Sequence, residues 1–132
     1  MSGLFRIYCL VFVAASALFG CNSPKSDKTN PKENVNKGKM LFNSVGCTTC
    51  HSVTGETKYG PSLNGILNTS IQVIRDGSEH TLIIDRQYIL RSIQNPDYEK
   101  LINFRNSKMP KTELSSEEIE LITDYLISIN EN

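Results

Sequence analysis

Five consecutive residues, Cys47-Thr48-Thr49-Cys50-His51, combine two thiols and an imidazole at a spacing that can do chemistry. Two cysteines this close together enclose almost no loop, so a disulfide between them would add little stability to a fold. The same pair followed by histidine is the pattern of a c-type haem attachment site. On one helical turn the thiols reach the two vinyl groups of a porphyrin, and the imidazole is directed at the iron from the same side. The motif therefore predicts one covalent haem c, held by Cys47 and Cys50, with His51 as an axial ligand of the iron.

Two other uses of a Cys-x-x-Cys pair compete with haem attachment. A thioredoxin-like redox pair follows a buried β-strand, whereas residues 35–45, which precede this motif, have the pattern of a helix. A zinc site needs further thiolate or imidazole ligands, and the only other histidine of the sequence is His80. We expect His80 to be solvated. Both alternatives are weaker than haem attachment.

The first twenty residues have the pattern of a signal peptide. Arg6 precedes an apolar run over residues 7–19 without an acidic residue, and this run is shorter than the ~20 residues that span a bilayer. It ends in Leu18-Phe19-Gly20-Cys21, which resembles the lipobox of bacterial lipoproteins. We predict a signal peptide at residues 1–20, lipidation of Cys21 and an extracytoplasmic protein anchored to the membrane on its periplasmic side. The alternative is an ordinary secreted protein with a stray cysteine.

Composition limits the rest of the chain to one small domain. The 132 residues include 14 basic and 14 acidic side chains. The chain therefore lacks the excess of positive charge that is typical of nucleic-acid-binding proteins, and that class is set aside. Residues 21–34 are predicted to be the lipidated cysteine and a flexible tether rich in Asn, Ser, Lys and Pro, and residues 35–132 the domain. This domain has no tryptophan, and small domains often need a cofactor to complete their core.

Helices are predicted on both sides of the haem motif. A short helix over residues 36–43 runs directly into it. The strongest helix signal comes near the end of the chain, where Ser115 and Glu118 form a capping box ahead of apolar residues at helical spacing. A third helix is expected over residues 85–95, because the proline that follows disfavours helical geometry. Between these elements, Asp76-Gly77 predicts the turn of a small β-hairpin.

In their order along the chain, these motifs resemble class I cytochrome c. The resemblance covers residues 35–130 and depends on the haem motif and on residues elsewhere: Gly38, Phe42, Gly60-Pro61-Ser62-Leu63, Lys108-Met109-Pro110, Ile122 and Tyr125. It implies an all-α fold, the cytochrome c fold, with about three to four helices around one covalent haem and a small β-hairpin insertion.

A finer similarity covers residues 76–110. This stretch is similar to the cytochrome c domain that is fused to subunit II of some haem–copper oxidases, and the shared residues are Asp76-Gly77, Asp85, Tyr88-Ile89, Ser92-Ile93, Asn95-Pro96 and Met109-Pro110. The sequence has no second cluster of cysteine, histidine and methionine that would hold a dinuclear copper centre. The similarity therefore implies a free-standing relative of that domain.

The resemblance assigns roles around the iron. Met109 would be the second axial ligand, whereas Met40 is expected to be core filler near Phe42. The carbonyl of Pro61 would face the far nitrogen of His51 and fix its tautomer. Leu63 would form a wall of the haem pocket.

Two further expectations come from the same family pattern. Gly38 and Phe42 would cross the last helix at Ile122 and Tyr125, where the glycine permits close approach. The family's tryptophan beside a haem propionate is absent, and Tyr88 or Arg91 would take over its hydrogen bond.

Two axial ligands would fill the coordination positions of the iron, which predicts a single-electron carrier without a catalytic residue or a small-molecule substrate. Its partners would be redox proteins of a respiratory chain, and Lys108 and Lys111 could steer an acidic partner. One alternative is a haem subunit of a larger oxidase or dehydrogenase. Another is an enzyme or sensor whose iron keeps an open position.

Overall fold

The computed structural model describes residues 30–131. The predicted signal peptide, Cys21 and most of the tether lie outside these residues. The described elements follow the order α1 (Pro31–Ser44), α2 (Cys47–Cys50), β1 (Ser70–Arg75), β2 (Ser78–Ile83), α3 (Arg86–Gln94), β3 (Lys100–Leu101), a 3-10 turn (Ile102–Phe104) and α4 (Ser116–Ser128). Among these helices, none has the length and apolar character needed to cross a membrane.

Helix α1 begins earlier than predicted, inside the segment expected to be tether. Asn30 is the N-cap, and its side chain accepts a hydrogen bond from the Lys32 backbone N–H at 3.1 Å. Pro31 occupies the first helical position, where a missing N–H costs nothing. Glu33 lies in the first turn and pairs with Lys37 at 2.7 Å. Capping and charge therefore extend the helix beyond the short apolar pattern that predicted it.

Helices α1 and α4 cross at a close contact that the sequence predicted correctly. A Cβ atom on Gly38 would collide with the backbone carbonyl of Leu121, so only glycine fits at the crossing. One turn later, the rings of Phe42 and Tyr125 pack with their centroids 5.5 Å apart. Ile122 lies beside them and is almost fully buried. The crossing forms the centre of the hydrophobic core.

The expected role of Met40 is wrong, because its side chain is 71% exposed. At 3.6 residues per turn, two positions rotate a side chain roughly 200° around a helix. Met40 follows the buried Gly38 by two positions. It therefore lies on the solvent side of α1.

The ends of α3 and α4 agree with the prediction. The Asp85 side chain caps α3 by accepting from the Tyr88 backbone N–H at 2.7 Å, and the helix ends at Gln94, ahead of Asn95 and the proline. Ser115 and Glu118 form the predicted capping box of α4. Local capping signals were sufficient to place these boundaries.

The predicted hairpin is confirmed, and a third strand extends it into a small antiparallel sheet of order β2-β1-β3. Asp76 and Gly77 have φ values of 50° and 75°, which match the two-residue turn that suits the twist of a hairpin. Strand β3 pairs Leu101 with Val73 on the other edge of β1. The described residues thus form four α-helices and this sheet, which is the predicted helical fold with its hairpin.

Candidate haem site

One large cavity brings the predicted site residues together. It is mostly apolar, has an open mouth and has a volume of about 180 Å³. Cys47, Cys50, His51, Pro61, Leu63 and Met109 all line it. Of the predicted site residues only Cys21 is missing from this group, and it lies outside the described residues. The gathering of these side chains in one cavity is the central feature of the site.

The two cysteines lie on the single turn of α2. Gly46, with φ of 85°, turns the chain out of α1, and the His51 backbone N–H donates to the Cys47 carbonyl at 3.0 Å to close the turn. The ammonium of Lys58 donates to the Thr48 carbonyl at 2.9 Å. Both thiols are free and half-buried. Burial raises the pKa of Cys47, and the neighbouring Cys50 adds to the rise, so this thiol is protonated at neutral pH.

The imidazole of His51 is fixed by the residues of the following loop. Its Nδ1 lies 2.9 Å from the carbonyl oxygen of Pro61, the contact expected from the resemblance. Because a carbonyl can only accept, Nδ1 carries the proton and Nε2 has the free lone pair that a metal requires. Gly60 lies against the ring, and a Cβ at this position would come within 2.6 Å of the His51 Cε1. Glycine here allows the backbone to support the imidazole directly.

Asn130 fixes the loop that carries Leu63, and sequence reasoning missed it. Its side-chain amide donates to the carbonyls of Leu63 at 2.9 Å and Leu126 at 2.8 Å. Its oxygen accepts from the backbone N–H of Ile66 at 2.8 Å and of Leu67 at 3.4 Å. A lone asparagine after a helix is typical of a helix end. No local signal connects it with a loop more than sixty residues away.

Met109 lies half-buried in the irregular stretch between the 3-10 turn and α4. The backbone N–H of its neighbour Lys108 lies 3.4 Å from the hydroxyl oxygen of Tyr59, which accepts a long hydrogen bond. This contact connects the loop after the haem motif with the methionine stretch. Met109 thus shares the cavity with His51. The hydrogen bond between Lys108 and Tyr59 connects the segments that carry these two residues.

Two polar groups to which the sequence assigned no role at the site, Ser92 and Glu99, also line the cavity. The hydroxyl of Ser92 is buried and has no well-formed hydrogen bond within residues 30–131, although the side chain of Tyr88, one turn away on α3, interacts with it. Glu99 is the second, and both of its oxygens accept from arginines. One of these arginines is Arg91. Of the two candidates for the propionate hydrogen bond, Tyr88 lines the cavity and Arg91 does not.

The residues present fit a haem better than the alternative centres. An apolar cavity with two thiols, an imidazole oriented by its Nδ1 proton and a thioether offers the donor set of a c-type haem. Between residues 30 and 131, no three acidic, histidine or cysteine side chains cluster as a zinc site would need. A helix, not a strand, precedes α2. The thioredoxin-like and zinc alternatives therefore gain no support.

Comparison with known proteins gives a family match. The family model described as cytochrome c matches residues 35–130. Among solved structures, cytochrome c from Rhodothermus marinus is 22% identical, with 76% of this chain and 79% of that chain covered and a TM-score of 0.51. An engineered variant of the Rhodothermus marinus protein also matches, with 22% identity, coverage of 76% and 81%, and a TM-score of 0.49. A search of curated proteins finds no match. At this identity the first of these structures supports the fold.

Proposed function

Because the chain belongs to the cytochrome c family, which implies a covalently bound haem c and haem-based electron transfer, we propose that it is a single-electron carrier with His51 and Met109 as axial ligands. The observation that carries this proposal is the shared cavity of Cys47, Cys50, His51 and Met109. When bound, the haem supplies an iron that alternates between its ferrous and ferric forms.

The side chains around the cavity have separate tasks in this proposal. Cys47 and Cys50 hold the porphyrin covalently, and the carbonyl of Pro61 keeps the proton of His51 on Nδ1 so that Nε2 can bind iron. Leu63 belongs to the apolar wall that excludes water. The thioether of Met109 is a soft ligand that favours ferrous iron and raises the reduction potential. A filled sixth position distinguishes a carrier from a haem enzyme or gas sensor.

Replacement of Met109 by alanine tests this assignment. The unsubstituted ferric protein should show the weak long-wavelength band of a thioether ligand, and the reduced protein should resist carbon monoxide, because the sixth position is filled. Met109→Ala should lose the band, bind carbon monoxide and have a lower reduction potential. Met40→Ala is the matched control, since Met40 is 71% exposed, and it should retain all three properties. Rapid carbon monoxide binding by the unsubstituted protein would favour the open-site enzyme or sensor.

The membrane anchor is a separate proposal that depends on the sequence. Residues 1–20 would be removed, Cys21 would carry the lipid, and residues 21–34 would connect it to the domain at 35–132 on the periplasmic side of a membrane. Helix α1 begins at Pro31, so residues 31–34 of the proposed tether are helical. Cys21→Ala should abolish acylation, as measured by mass spectrometry of the mature N-terminus. A mature N-terminus at another residue, without an acyl group, would contradict the proposal.

The proposed partners are redox proteins of a respiratory chain. In support, Lys58, Lys108 and Lys111 are exposed, and Lys108 also lines the cavity. Positive charge at this mouth would attract an acidic partner into a small, short-lived interface. A K108Q/K111Q variant should slow electron transfer to such a partner most at low ionic strength, as measured by stopped-flow spectroscopy. Equal rates for both proteins at every salt concentration would contradict this steering.

We also propose that the chain is a free-standing relative of the cytochrome c domain fused to oxidase subunit II. The Asp76-Gly77 pair, which is one element of that similarity, forms the turn of a hairpin in the fold. The alternative is a subunit held in a larger oxidase or dehydrogenase. Size-exclusion chromatography of the detergent-solubilised lipoprotein distinguishes them, because a free carrier should elute alone.

A further inference from the structure

An ion cluster around the buried carboxylate of Glu99 borders the cavity and has no role in the function described so far. We call Arg75, Arg91, Tyr98 and Glu99 the Glu99 cluster. The Glu99 Oε2 accepts from Nε and Nη2 of Arg75 at 3.2 and 2.7 Å. Its Oε1 accepts from Nε and Nη2 of Arg91 at 3.0 and 2.5 Å. The ring of Tyr98 lies beneath both guanidinium groups, 5.1 and 5.5 Å from their central carbons.

The position of Glu99 makes this cluster unusual in the molecule. Its side chain is 2% exposed, and it is the only charged residue that is buried between residues 30 and 131. Glu99 also lines the cavity, whereas neither arginine does. The arginines come from the end of β1 and from α3, so the cluster also connects the sheet with a helix.

Glu99 remains charged despite its burial. Burial acts to raise its pKa, but the hydrogen bonds and positive charges of Arg91 and Arg75 outweigh this effect and hold the pKa below its usual range. Two guanidinium groups and one carboxylate give the cluster a net charge of one positive unit. Its negative member is the one that reaches the cavity wall.

Stability alone is a weak explanation for such a cluster. Buried ion pairs often contribute less than apolar residues of similar volume, because desolvation of the charges offsets their attraction. Charges in the wall of a cavity from which water is largely excluded are weakly screened, so they act strongly on a nearby group whose own charge changes. In an electron carrier, the iron is that group.

We propose that the Glu99 cluster sets the reduction potential of the haem, with the Glu99 carboxylate lowering it and the two arginines raising it. This inference builds on the proposed carrier function. A negative charge at the cavity wall stabilises the ferric form, which has one more positive charge than the ferrous form. The arginines moderate that effect and hold the carboxylate in place.

Potentiometry of a set of charge variants tests the proposal. Glu99→Gln should raise the potential, since it removes a negative charge from the cavity wall and leaves two positive ones. Arg75→Gln should lower it. The double variant R75Q/E99Q has the net charge of the original cluster and should return close to the unsubstituted value. Glu79→Gln, which removes an exposed carboxylate on β2, is the control and should have almost no effect in high salt, where exposed charges are screened.

A purely structural role gives a different pattern. If the cluster only maintains the fold, Glu99→Gln and Arg75→Gln will shift the potential in the same direction and the double variant will shift it at least as far, which overturns the proposal. Unchanged potentials in both single variants also overturn it. Arg75→Lys retains the charge without the two-pronged contact and should have a nearly unchanged potential even if it is less stable. The carbon monoxide test on the unsubstituted protein judges the carrier function separately.

Discussion

Two segments of the cavity wall are held in place by different means. The attachment segment, residues 46–67, is fixed mainly by backbone contacts between near neighbours, such as the Gly60 N–H donating to the Cys50 carbonyl at 2.8 Å. The methionine segment, residues 86–114, also depends on side-chain ion pairs, and Glu99 in it holds an arginine from β1, 24 residues away. The difference shows that the haem-bearing half of this site is encoded mostly locally, with Asn130 as its remote contact, whereas the other half also depends on tertiary charge pairs.

The largest expected effect breaks the attachment segment. Replacement of both Cys47 and Cys50 by alanine should abolish covalent haem, because no other cysteine occurs between residues 30 and 131. Haem staining after denaturing electrophoresis measures this directly. Each single variant should retain one thioether bond and some staining. Staining in the double variant equal to that of the unsubstituted protein would contradict the attachment site.

A smaller effect should come from Gly60→Ala, which inserts a methyl group against the His51 ring. Overpacking of this kind costs about 1–3 kcal/mol, and displacement of the imidazole should also weaken its bond to iron. Gly65→Ala is the matched control, because a Cβ there has open space but the φ of 71° is strained. Denaturant unfolding should show destabilisation in both, whereas the haem absorption spectrum should change only in Gly60→Ala.

Asn130→Ala tests how far the attachment segment depends on a remote contact. The variant loses four hydrogen bonds and leaves backbone groups of the Leu63–Leu67 loop without partners, which should cost about 2 kcal/mol. Denaturant unfolding measures the loss, and Asn64→Ala, an exposed residue of the same loop, should change the free energy of unfolding by less than about 0.5 kcal/mol. Equal effects would mean that Asn130 does not hold the loop.

The smallest expected effect is a pH dependence of the methionine segment. The pKa of Glu99 is lower in the folded protein than its ordinary value, so the unfolded chain binds the proton more readily. The resulting stabilisation is complete above the unfolded pKa, about 4.3, and is lost as the pH falls through the folded value. The free energy of unfolding should therefore fall more steeply with acidification in the unsubstituted protein than in Glu99→Gln. Parallel curves would refute this.

The same contrast explains what could be predicted from the sequence. The haem motif, the Asp76-Gly77 turn and the capping box of Ser115 and Glu118 are short sequence patterns. The structure has a helical turn, a hairpin turn and a helix N-terminus at these three places. The family resemblance added the Pro61 contact. Signals of this kind depend on residues close together in the chain.

The features that escaped prediction have distant or weak signals. Asn130 and Glu99 act through partners far along the sequence. Strand β3 has only two residues, too few for a periodic pattern. Met40 was misassigned because proximity to Phe42 on a helix does not determine which face a side chain occupies.

The tight contact between Gly38 and Leu121 also has a consequence for the rate of folding. It joins the first and last of the helices described between residues 30 and 131, so its formation must close a loop that contains almost all of these residues. Contacts of such high sequence separation slow folding, because the chain must lose the entropy of loop closure before the contact contributes any stabilisation. We therefore expect α1 and α4 to dock late. Until they do, the thiols of the neighbouring turn would remain accessible to a haem that has yet to be attached.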